Sequence, residues 1–181
     1  MSRRIFVAIN IPEEIKKEIY EKLSSKIPKE GCKVVAEENL HITLQFIGYV
    51  PDEEIPRIRE KMLALNGANA QTKTRGFAVS LSGAGEFGGR VLWLGAKEGD
   101  IEICSVAEKL GLALGIKDAR FHPHVTLARN KSLSAAEFGK IASALEKENY
   151  CARFEVKSAD LMESILKPQG PEYKLLFSAP L

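Results

Sequence analysis

Two kinds of hydrophobic pattern alternate along the 181 residues of the chain. One kind consists of short runs rich in β-branched and aromatic residues, which is typical of β-strands. The predicted strands are residues 4–8, 40–47, 77–81, 90–94, 121–127, 154–162 and 173–177. The other kind has apolar residues spaced three and four positions apart, which is typical of amphipathic helices. The mixture of both patterns predicts a protein of the α+β class.

Four amphipathic helices are predicted between these strands. Their approximate bounds are residues 13–27, 51–65, 101–114 and 134–147. Pro12 suits the start of the first helix, and Gly115 suits the end of the third. Ser134 and Glu137 have the spacing of a capping box, in which each side chain binds the other residue's backbone amide.

An internal repeat organises these elements. The runs Arg4–Ala8 and Arg90–Leu94 each begin a series of strand, helix, strand and helix. This duplication predicts two similar lobes related by a pseudo-two-fold axis, each an antiparallel sheet backed by helices, with a cleft between them. The length suits one compact unit, so we expect residues 1–181 to form a single two-lobed domain.

The repeat also duplicates a short phrase, His41-Ile42-Thr43-Leu44 and His124-Val125-Thr126-Leu127. The chain contains three histidines and four threonines, and two of the histidines carry a threonine two positions later. Chance produces this coincidence in roughly one sequence in a thousand of this composition. The duplicated His-x-Thr is therefore the strongest functional signal in the sequence.

Paired His-x-Thr motifs suit the chemistry of a phosphodiester. Residues i and i+2 of a strand point to the same face, so the histidine and threonine of each motif share a face. An imidazole titrates near neutral pH and transfers protons, and a hydroxyl can hold a phosphoryl oxygen. If the two strands face each other, one histidine removes a proton from the attacking oxygen and the other protonates the leaving oxygen.

The same residues have alternative interpretations. A single His-x-Thr within a strand is usually core packing with a hydrogen-bonded histidine, and it is the duplication that favours function. His122 could join His41 and His124 in a three-histidine metal site. However, no aspartate, glutamate or cysteine cluster lies nearby in the sequence, and Pro123 interrupts the strand. We therefore predict no metal site, and we place His122 at the entrance to the strand.

Three other residues flank the motifs. Arg129 follows Thr126 on the same strand, and we predict that it shares the cleft-facing side and binds a phosphate group. Phe46 and Phe121 could each stack a nucleobase, although regular alternation turns both away from the neighbouring histidine. We predict that Phe46 belongs to the core, and we keep Phe121 as a candidate substrate-binding residue.

Two glycine-containing segments predict turns. Ser82–Gly89 matches neither a Walker loop nor a dinucleotide-binding fingerprint, so we predict a hairpin or a loop at the edge of the cleft. Lys167–Pro171 predicts a turn between the last two strands, and this turn could border the cleft.

The chain resembles the two-histidine phosphoesterases, in particular the LigT-like RNA 2′,3′-cyclic phosphodiesterases, also called 2′-5′ RNA ligases. The resemblance rests on both His-x-Thr motifs and extends over nearly the whole chain. The phrases that carry it are Arg4–Ile9, Asn39–Gly48, Phe87–Gly95, Pro123–Arg129, Glu163–Ser164 and Gly170–Tyr173.

This resemblance implies opening of a terminal ribose 2′,3′-cyclic phosphate to a 2′-phosphomonoester, without a metal or another cofactor. It implies that His41 is the proton donor and His124 the proton acceptor. Thr43 and Thr126 would hold the phosphate. The sequence alone does not order the two histidine roles. If an RNA 5′-hydroxyl attacks in place of water, the same site makes a 2′-5′ linkage.

Two other functions remain open at this point. One is an esterase acting on a small cyclic nucleotide or a phosphorylated sugar. The other is a non-catalytic module that binds RNA or a nucleotide, although two intact His-x-Thr motifs argue against lost catalysis.

Composition limits the partners and the compartment. A net charge of +2 predicts a local groove for nucleic acid rather than a wholly basic face. We found neither an apolar run long enough to span a membrane nor a signal peptide. The three widely spaced cysteines are typical of reduced thiols. We therefore expect a cytoplasmic protein, and we expect it to be a monomer. The family resemblance implies that its partner is RNA, for example tRNA, with 2′,3′-cyclic phosphate ends.

Overall fold

A computed structural model describes residues 1–66, 76–116 and 121–181 of the protein. The strands are β1 (Ser2–Asn10), β2 (Cys32–Val34), β3 (His41–Pro51), β4 (Phe77–Phe87), β5 (Val91–Ala96), β6 (His124–Asn130), β7 (Cys151–Val156), β8 (Ser158–Lys167) and β9 (Gly170–Pro180). The α-helices are α1 (Glu13–Lys22), α2 (Ile55–Leu63), α3 (Asp100–Leu114) and α4 (Ala135–Glu146). Short 3₁₀ turns cover Ser24–Lys26, Glu37–Asn39, Asp52–Glu54 and Ala64–Asn66.

The described strands form one curled antiparallel sheet in the order β7-β4-β5-β6-β3-β1-β8-β9, with β2 added beside β6. The first lobe contains β3, β1, β8 and β9, and the second contains β6, β5, β4 and β7. The central strand of each lobe, β1 or β5, pairs with the strand that carries its motif. The predicted α+β class and the two similar lobes are confirmed.

One apolar core serves both lobes. Helix α1 contributes Ile15 and Ile19 to this core, α3 contributes Ile103 and Leu110, and α4 contributes Phe138. Burial of each such side chain stabilises the fold by about 1.5–3 kcal/mol relative to its exposure. Because the core is continuous, the lobes cannot move apart without exposing it, and the motif strands at their junction are held in place.

Two predicted helices begin or end elsewhere than expected. The first ends at Lys22 and not at residue 27, because Leu23 leaves the helical region and a 3₁₀ turn follows. Leu23 and Ile27 are nevertheless buried, so the apolar spacing correctly predicted core residues. The backbone between them forms a 3₁₀ turn instead of a further α-helical turn. The second is α2, which begins at Ile55 after a 3₁₀ turn and has proline in its first turn, where the missing amide costs nothing.

Other predictions at helix ends are confirmed. Gly115 ends α3 in the left-handed conformation, with a φ of 74°. Ser134 caps α4, and its backbone amide donates to the Glu137 carboxylate at 2.9 Å, which completes the capping box. The helix predicted at 134–147 therefore has both ends within one residue of their expected places.

Several strand predictions need correction. Residues 154–162 form parts of two strands, because β7 pairs with β4 in the second lobe and β8 pairs with β1 in the first. The chain crosses between the lobes at Lys157. The motif strand predicted at 121–127 begins at His124. Strand β2, which pairs with β6, was not predicted.

Both predicted turns lie in hairpins. Strand β4 continues through most of the glycine-containing segment to Phe87, and the chain then turns into β5. Residues 168–169 turn between β8 and β9. The three cysteines are unpaired; Cys32 is buried, Cys104 half-buried and Cys151 exposed.

Candidate active site

The two lobes meet where the two motifs meet. Strands β3 and β6 pair antiparallel at Ile42 and Val125, the middle residues of the motifs, and both are fully buried. The residues on either side of each middle residue therefore project to the other face of the sheet. Those residues are the motif histidines and threonines, all partly exposed. The structure thus brings His41, Thr43, His124 and Thr126 together on one face.

His41 is held by hydrogen bonds at both ring nitrogens. Its Nδ1 lies 2.7 Å from the backbone oxygen of Asn39, and its Nε2 lies 2.9 Å from Oγ1 of Thr43. A carbonyl only accepts, so Nδ1 carries the proton of the neutral ring, and Nε2 accepts from the threonine hydroxyl. The neutral ring therefore presents its lone pair on the side of the threonine.

Asn39 is itself held in place. The residue is 8% exposed, and its side-chain amide donates to the backbone oxygen of Pro171 at 2.8 Å. The 3₁₀ turn that supports His41 is thereby fastened to the hairpin of β8 and β9. Sequence patterns did not identify Asn39 as a site residue, although it stands two positions before the histidine.

The ring of His124 has an equivalent of only one of the two hydrogen bonds that hold His41 in the described chain. Its Nδ1 donates to the backbone oxygen of His122 at 2.7 Å, again two residues earlier in the chain. Nε2 is consequently the basic nitrogen of the neutral ring, as in His41. Among the hydrogen bonds of the described residues, the His124 ring has none to the hydroxyl of Thr126, which is a difference between the two motifs.

Burial favours the neutral form of both imidazoles in the free protein. Burial lowers the pKa of His41 to about 4, against the hydrogen bond to Asn39, and the charges of Lys16, His124 and Arg129 lower it further. Burial also lowers the pKa of His124, against its bond to the His122 carbonyl, with smaller contributions from His122 and Arg129. A bound phosphate anion would act in the opposite direction and favour protonation.

Aromatic rings surround His41. Its ring centroid lies 5.1 Å from that of Phe6 and 5.3 Å from that of Tyr173, which it meets edge-on. Phe6 and Tyr173 also contact each other, at 4.9 Å. Burial raises the pKa of Tyr173, while the charges of Arg129 and Arg4 act against that rise. The tyrosine was part of the family resemblance but was not predicted as a site residue.

A second aromatic group surrounds His124. Phe87 lies 5.1 Å from the His124 ring and stacks on Trp93 at 5.2 Å. Gly85 and Gly95 make room for the indole of Trp93. A Cβ on Gly85 would lie 2.3 Å from the indole ring, and a Cβ on Gly95 would lie 3.3 Å from it. His122 is exposed, and its ring meets those of Phe87 and Trp93 edge-on.

A β-bulge follows each motif threonine. In β3 the register skips Leu44, and in β6 it skips Leu127, and both leucines are buried. A bulge shifts the alternation of side chains by one residue. The residue three positions after each threonine therefore returns to the face of that threonine. It is Phe46 after the first motif and Arg129 after the second.

The bulges decide two sequence predictions. Phe46 is 59% exposed and lies 6.2 Å from the Phe6 ring, so the prediction that it belongs to the core is wrong. Arg129 does share the face of Thr126, because their partners Val91 and Trp93 lie two residues apart on β5. A regular strand would have turned its side chain away.

The remaining candidates are placed as follows. Phe121 is half-buried before β6 and packs against the apolar core, and it has no ring contact with the aromatic group at His124 in the described chain. Among residues 1–66, 76–116 and 121–181, no three histidine, cysteine, aspartate or glutamate side chains converge as metal ligands do. Within those residues, no helix is both long and apolar enough to cross a bilayer.

These features divide the site into two half-sites. We define the first half-site as His41, Thr43 and Phe46, with Asn39, Phe6 and Tyr173 around them. We define the second half-site as His124, Thr126 and Arg129, with His122, Phe87 and Trp93 around them. Together they place two neutral imidazoles, two hydroxyls and a guanidinium on one partly exposed face, which is suited to proton transfer at a bound anion.

Comparison with known proteins gives the family. A family model described as the 2′-5′ RNA ligase superfamily matches residues 11–167. The chain is 34% identical over 178 residues to an RNA 2′,3′-cyclic phosphodiesterase of Archaeoglobus fulgidus, covering 94% of this chain and 96% of the relative. A protein of the same name from Methanocaldococcus jannaschii is 33% identical over 175 residues, covering 96% and 98%.

Solved structures give the same relationship. The crystal structure of Escherichia coli LigT complexed with phosphate matches with a TM-score of 0.74 and 27% identity, covering 99% of this chain and 98% of that one. A Thermus thermophilus protein matches with a TM-score of 0.72 and 29% identity, covering 98% and 97%. By its sequence and its fold, the chain belongs to the 2′-5′ RNA ligase superfamily.

Proposed function

We propose that the protein hydrolyses the terminal 2′,3′-cyclic phosphate of RNA to a 2′-phosphomonoester. The observation that carries the proposal is the pairing of Ile42 with Val125, which sets both His-x-Thr motifs on one face. The curated relatives from Archaeoglobus and Methanocaldococcus, both named RNA 2′,3′-cyclic phosphodiesterase, support the same reaction.

The proposed reaction is a nucleophilic substitution at phosphorus with general acid–base catalysis. Nε2 of His124 takes a proton from a water molecule whose oxygen forms the new bond to phosphorus. The bond between phosphorus and the 3′ oxygen breaks, and that oxygen receives a proton from Nε2 of His41. Thr43, Thr126 and Arg129 hold the phosphoryl oxygens, on which negative charge develops in the transition state.

The proton-donor role requires a protonated His41. Its pKa of about 4 opposes that state in the free protein, since burial favours the neutral ring. The negative charge of the bound phosphate opposes this effect of burial and raises the pKa of an imidazole beside it. The proposal therefore includes proton uptake on substrate binding, and the order of the two histidine roles has to be tested directly.

Ligation would use the same groups. An RNA 5′-hydroxyl in place of water would lose its proton to His124 and bond to phosphorus, and the 3′ oxygen would leave protonated. The product is a 2′-5′ phosphodiester, and the strained cyclic ester supplies the driving force without a nucleotide cofactor. The name of the superfamily supports this second reaction.

The first experiment is incubation of the purified protein, in excess EDTA, with an oligoribonucleotide that ends in a 2′,3′-cyclic phosphate. We expect a 2′-phosphate end from the wild type and almost none from His41→Ala or His124→Ala. His122→Ala gives the comparison for loss of the third imidazole, and it should cost much less than loss of either motif histidine, because it keeps the carbonyl that holds His124.

Other results would redirect the proposal. Loss of activity in EDTA would point to a metal ion. Turnover of small cyclic nucleotides but not of RNA ends would favour the small-substrate esterase. RNA binding that survives both histidine substitutions, with no turnover by the wild type, would favour a binding module.

A further inference from the structure

A cavity opens beside His41 in the first half-site. Its volume is about 300 Å³, and His41 belongs to its lining. His124 lies outside the described lining of this cavity. Phe6 and Tyr173 contribute aromatic surface, and Leu40, Met162 and Leu175 contribute further apolar surface. Polar groups come from β1, from α1 and from the 3₁₀ turn before β3. A cavity of this size and mixed character fits one nucleoside, with a base that stacks on aromatic rings.

The polar lining of the cavity has more acceptors than free donors. Asn10 already uses its amide nitrogen, which donates to Oδ2 of Asp160 at 2.7 Å and approaches the Met162 sulfur at 3.7 Å. The other oxygen of Asp160 accepts from Ser158 and Ser178, so the carboxylate is fixed and in turn fixes the orientation of the Asn10 amide. Within the described chain no donor reaches Oδ1 of Asn10, which stays available as an acceptor.

Lys16 adds a buried charge, and two of its three donor hydrogens are engaged. Its side chain is 7% exposed, and its ammonium group donates to the Glu13 carboxylate at 2.8 Å and to the Glu38 backbone oxygen at 3.3 Å. The Glu13 side chain is 78% exposed, so its carboxylate can accept further hydrogen bonds. Glu38 also lines the cavity. The two glutamates outnumber the lysine, and the lining therefore favours a ligand group that donates.

We propose that this cavity binds the base of the nucleoside carrying the cyclic phosphate and selects bases with an exocyclic amino group. The proposal rests on the function proposed above, in which His41 protonates the 3′ oxygen. That oxygen belongs to the terminal nucleoside, so this nucleoside lies on the side of His41. Asn10 and Glu13 are the residues that accept from the amino group.

The hydrogen-bonding groups of the four nucleobases predict which terminal nucleoside is preferred. Adenine, cytosine and guanine each carry an amino group with two donor hydrogens. Uracil carries two carbonyl oxygens and a single N–H, so its oxygens would face acceptors. A site built around a hydrogen bond discriminates against an analogue that lacks the bonding group, because its own polar atom is left unpaired. We expect about a tenfold lower kcat/KM for a terminal uridine than for a terminal adenosine.

The decisive comparison removes one amino group. Two oligoribonucleotides of one sequence end in the 2′,3′-cyclic phosphate of adenosine or of purine riboside, which lacks only the 6-amino group. We expect the second to have about a tenfold lower kcat/KM. Asn10→Ala and Glu13→Ala should each reduce the difference. Glu14→Ala is the matched control, because Glu14 is an exposed glutamate in the same helical turn outside the lining of this cavity.

The outcomes separate this inference from the proposed function. Equal kcat/KM values for adenosine and purine riboside ends would overturn the inference and leave the phosphodiesterase intact. A preference that persists unchanged in both variants would also overturn it, because the base would then be recognised elsewhere, for example at Phe87 and Trp93. Failure to turn over any cyclic phosphate end would overturn the proposed function itself.

Discussion

The two half-sites have the same backbone and different side chains. In each, a histidine donates from Nδ1 to the carbonyl two residues earlier, and a bulge follows the threonine. The first half-site then presents Phe46, and its histidine is supported by Asn39, a residue that is 8% exposed. The second presents Arg129 at the equivalent position and rests on the exposed His122. The two halves of the chain therefore supply similar backbone frames that carry different side chains.

This difference teaches how a symmetric fold can treat an asymmetric substrate. The proposed reaction needs one acid and one base, and a phosphate anion is held by positive charge. A guanidinium beside the second half-site supplies that charge, and an aromatic cavity beside the first supplies room for a nucleoside. Burial also lowers the pKa of both histidines, but His41 is the one lowered to about 4.

The largest expected effect is loss of either motif histidine. His41→Ala and His124→Ala should each lower kcat by about 10²–10⁴-fold, since each removes a general acid or base. The double variant should lose much less than the product of the two single losses, because the residues act as a unit. Single-turnover assays with a 2′,3′-cyclic phosphate end measure this.

A substrate with a better leaving group separates the two roles. A phosphodiester whose leaving group is p-nitrophenolate needs little protonation of that oxygen. If His41 is the donor, His41→Ala should recover much of the wild-type rate with this ester, while His124→Ala should not. The opposite result would exchange the two roles without affecting the rest of the proposed site.

The second expected effect tests the difference between Phe46 and Arg129. Arg129→Ala should lower kcat/KM by about 10–100-fold, because it removes a charge-assisted contact to the phosphate. It should also weaken the dependence of KM on salt. Phe46→Ala should cost about threefold or less, since an exposed ring holds no charge. Similar losses in both variants would show that the phosphate charge is not what distinguishes the half-sites.

The third expected effect tests how each histidine is supported. Asn39→Ala removes the bond to the Pro171 carbonyl and should lower kcat about tenfold, with a fall of about 1–2 kcal/mol in the free energy of unfolding. His122→Ala, at the equivalent place, should change both quantities much less, because that ring is exposed. The ring orientation and pKa of His41, measured by NMR, should change only in the Asn39 variant.

The smallest expected effect on activity is a displacement of the pH optimum. The active form needs one protonated and one neutral imidazole, and that form is most populated between the two pKa values. Both pKa values lie below the ordinary value of 6.5 in the free protein, so kcat/KM should peak on the acid side of neutral pH. The optimum of kcat should lie at higher pH, because bound phosphate raises both pKa values. A kcat/KM optimum above neutral pH would contradict these pKa directions.

The same displaced pKa makes a prediction for stability. The pKa of His41 is lowered from 6.5 to about 4 on folding, so the unfolded chain takes up the proton first. The contribution of the neutral His41 ring to the free energy of unfolding is fully present above pH 6.5 and is lost as the pH falls toward 4. His41→Gln should therefore lose less stability over that interval, by at most about 3 kcal/mol. Urea unfolding at both ends of the interval measures the difference.

Much of this arrangement was readable from the chain. Period and composition predicted the α+β class and the positions of the helices, and the duplicated phrase predicted two lobes whose motifs converge. The capping box at Ser134 and the end of a helix at Gly115 were predicted because both depend on neighbouring residues alone. Local chemistry decides such features before any tertiary contact forms.

The failures have a common origin. Phe46 was assigned to the core because regular alternation was assumed, and the bulge at Leu44 reverses that alternation. Residues 154–162 were read as one strand, although each half pairs with a different lobe. Phe6, Phe87, Trp93 and Tyr173 were missed as neighbours of the histidines, because they lie far from the motifs in sequence.

By itself, the sequence determined most of the elements, the repeat and the residues able to transfer protons, since these depend on periodicity and on side-chain chemistry. Only the tertiary structure decided which residues share a face, what surrounds each histidine and where the cavity lies. The physical reason is that bulges, strand partners and burial depend on contacts between distant segments. Burial, through those contacts, is also the largest cause of the lowered pKa values of both histidines.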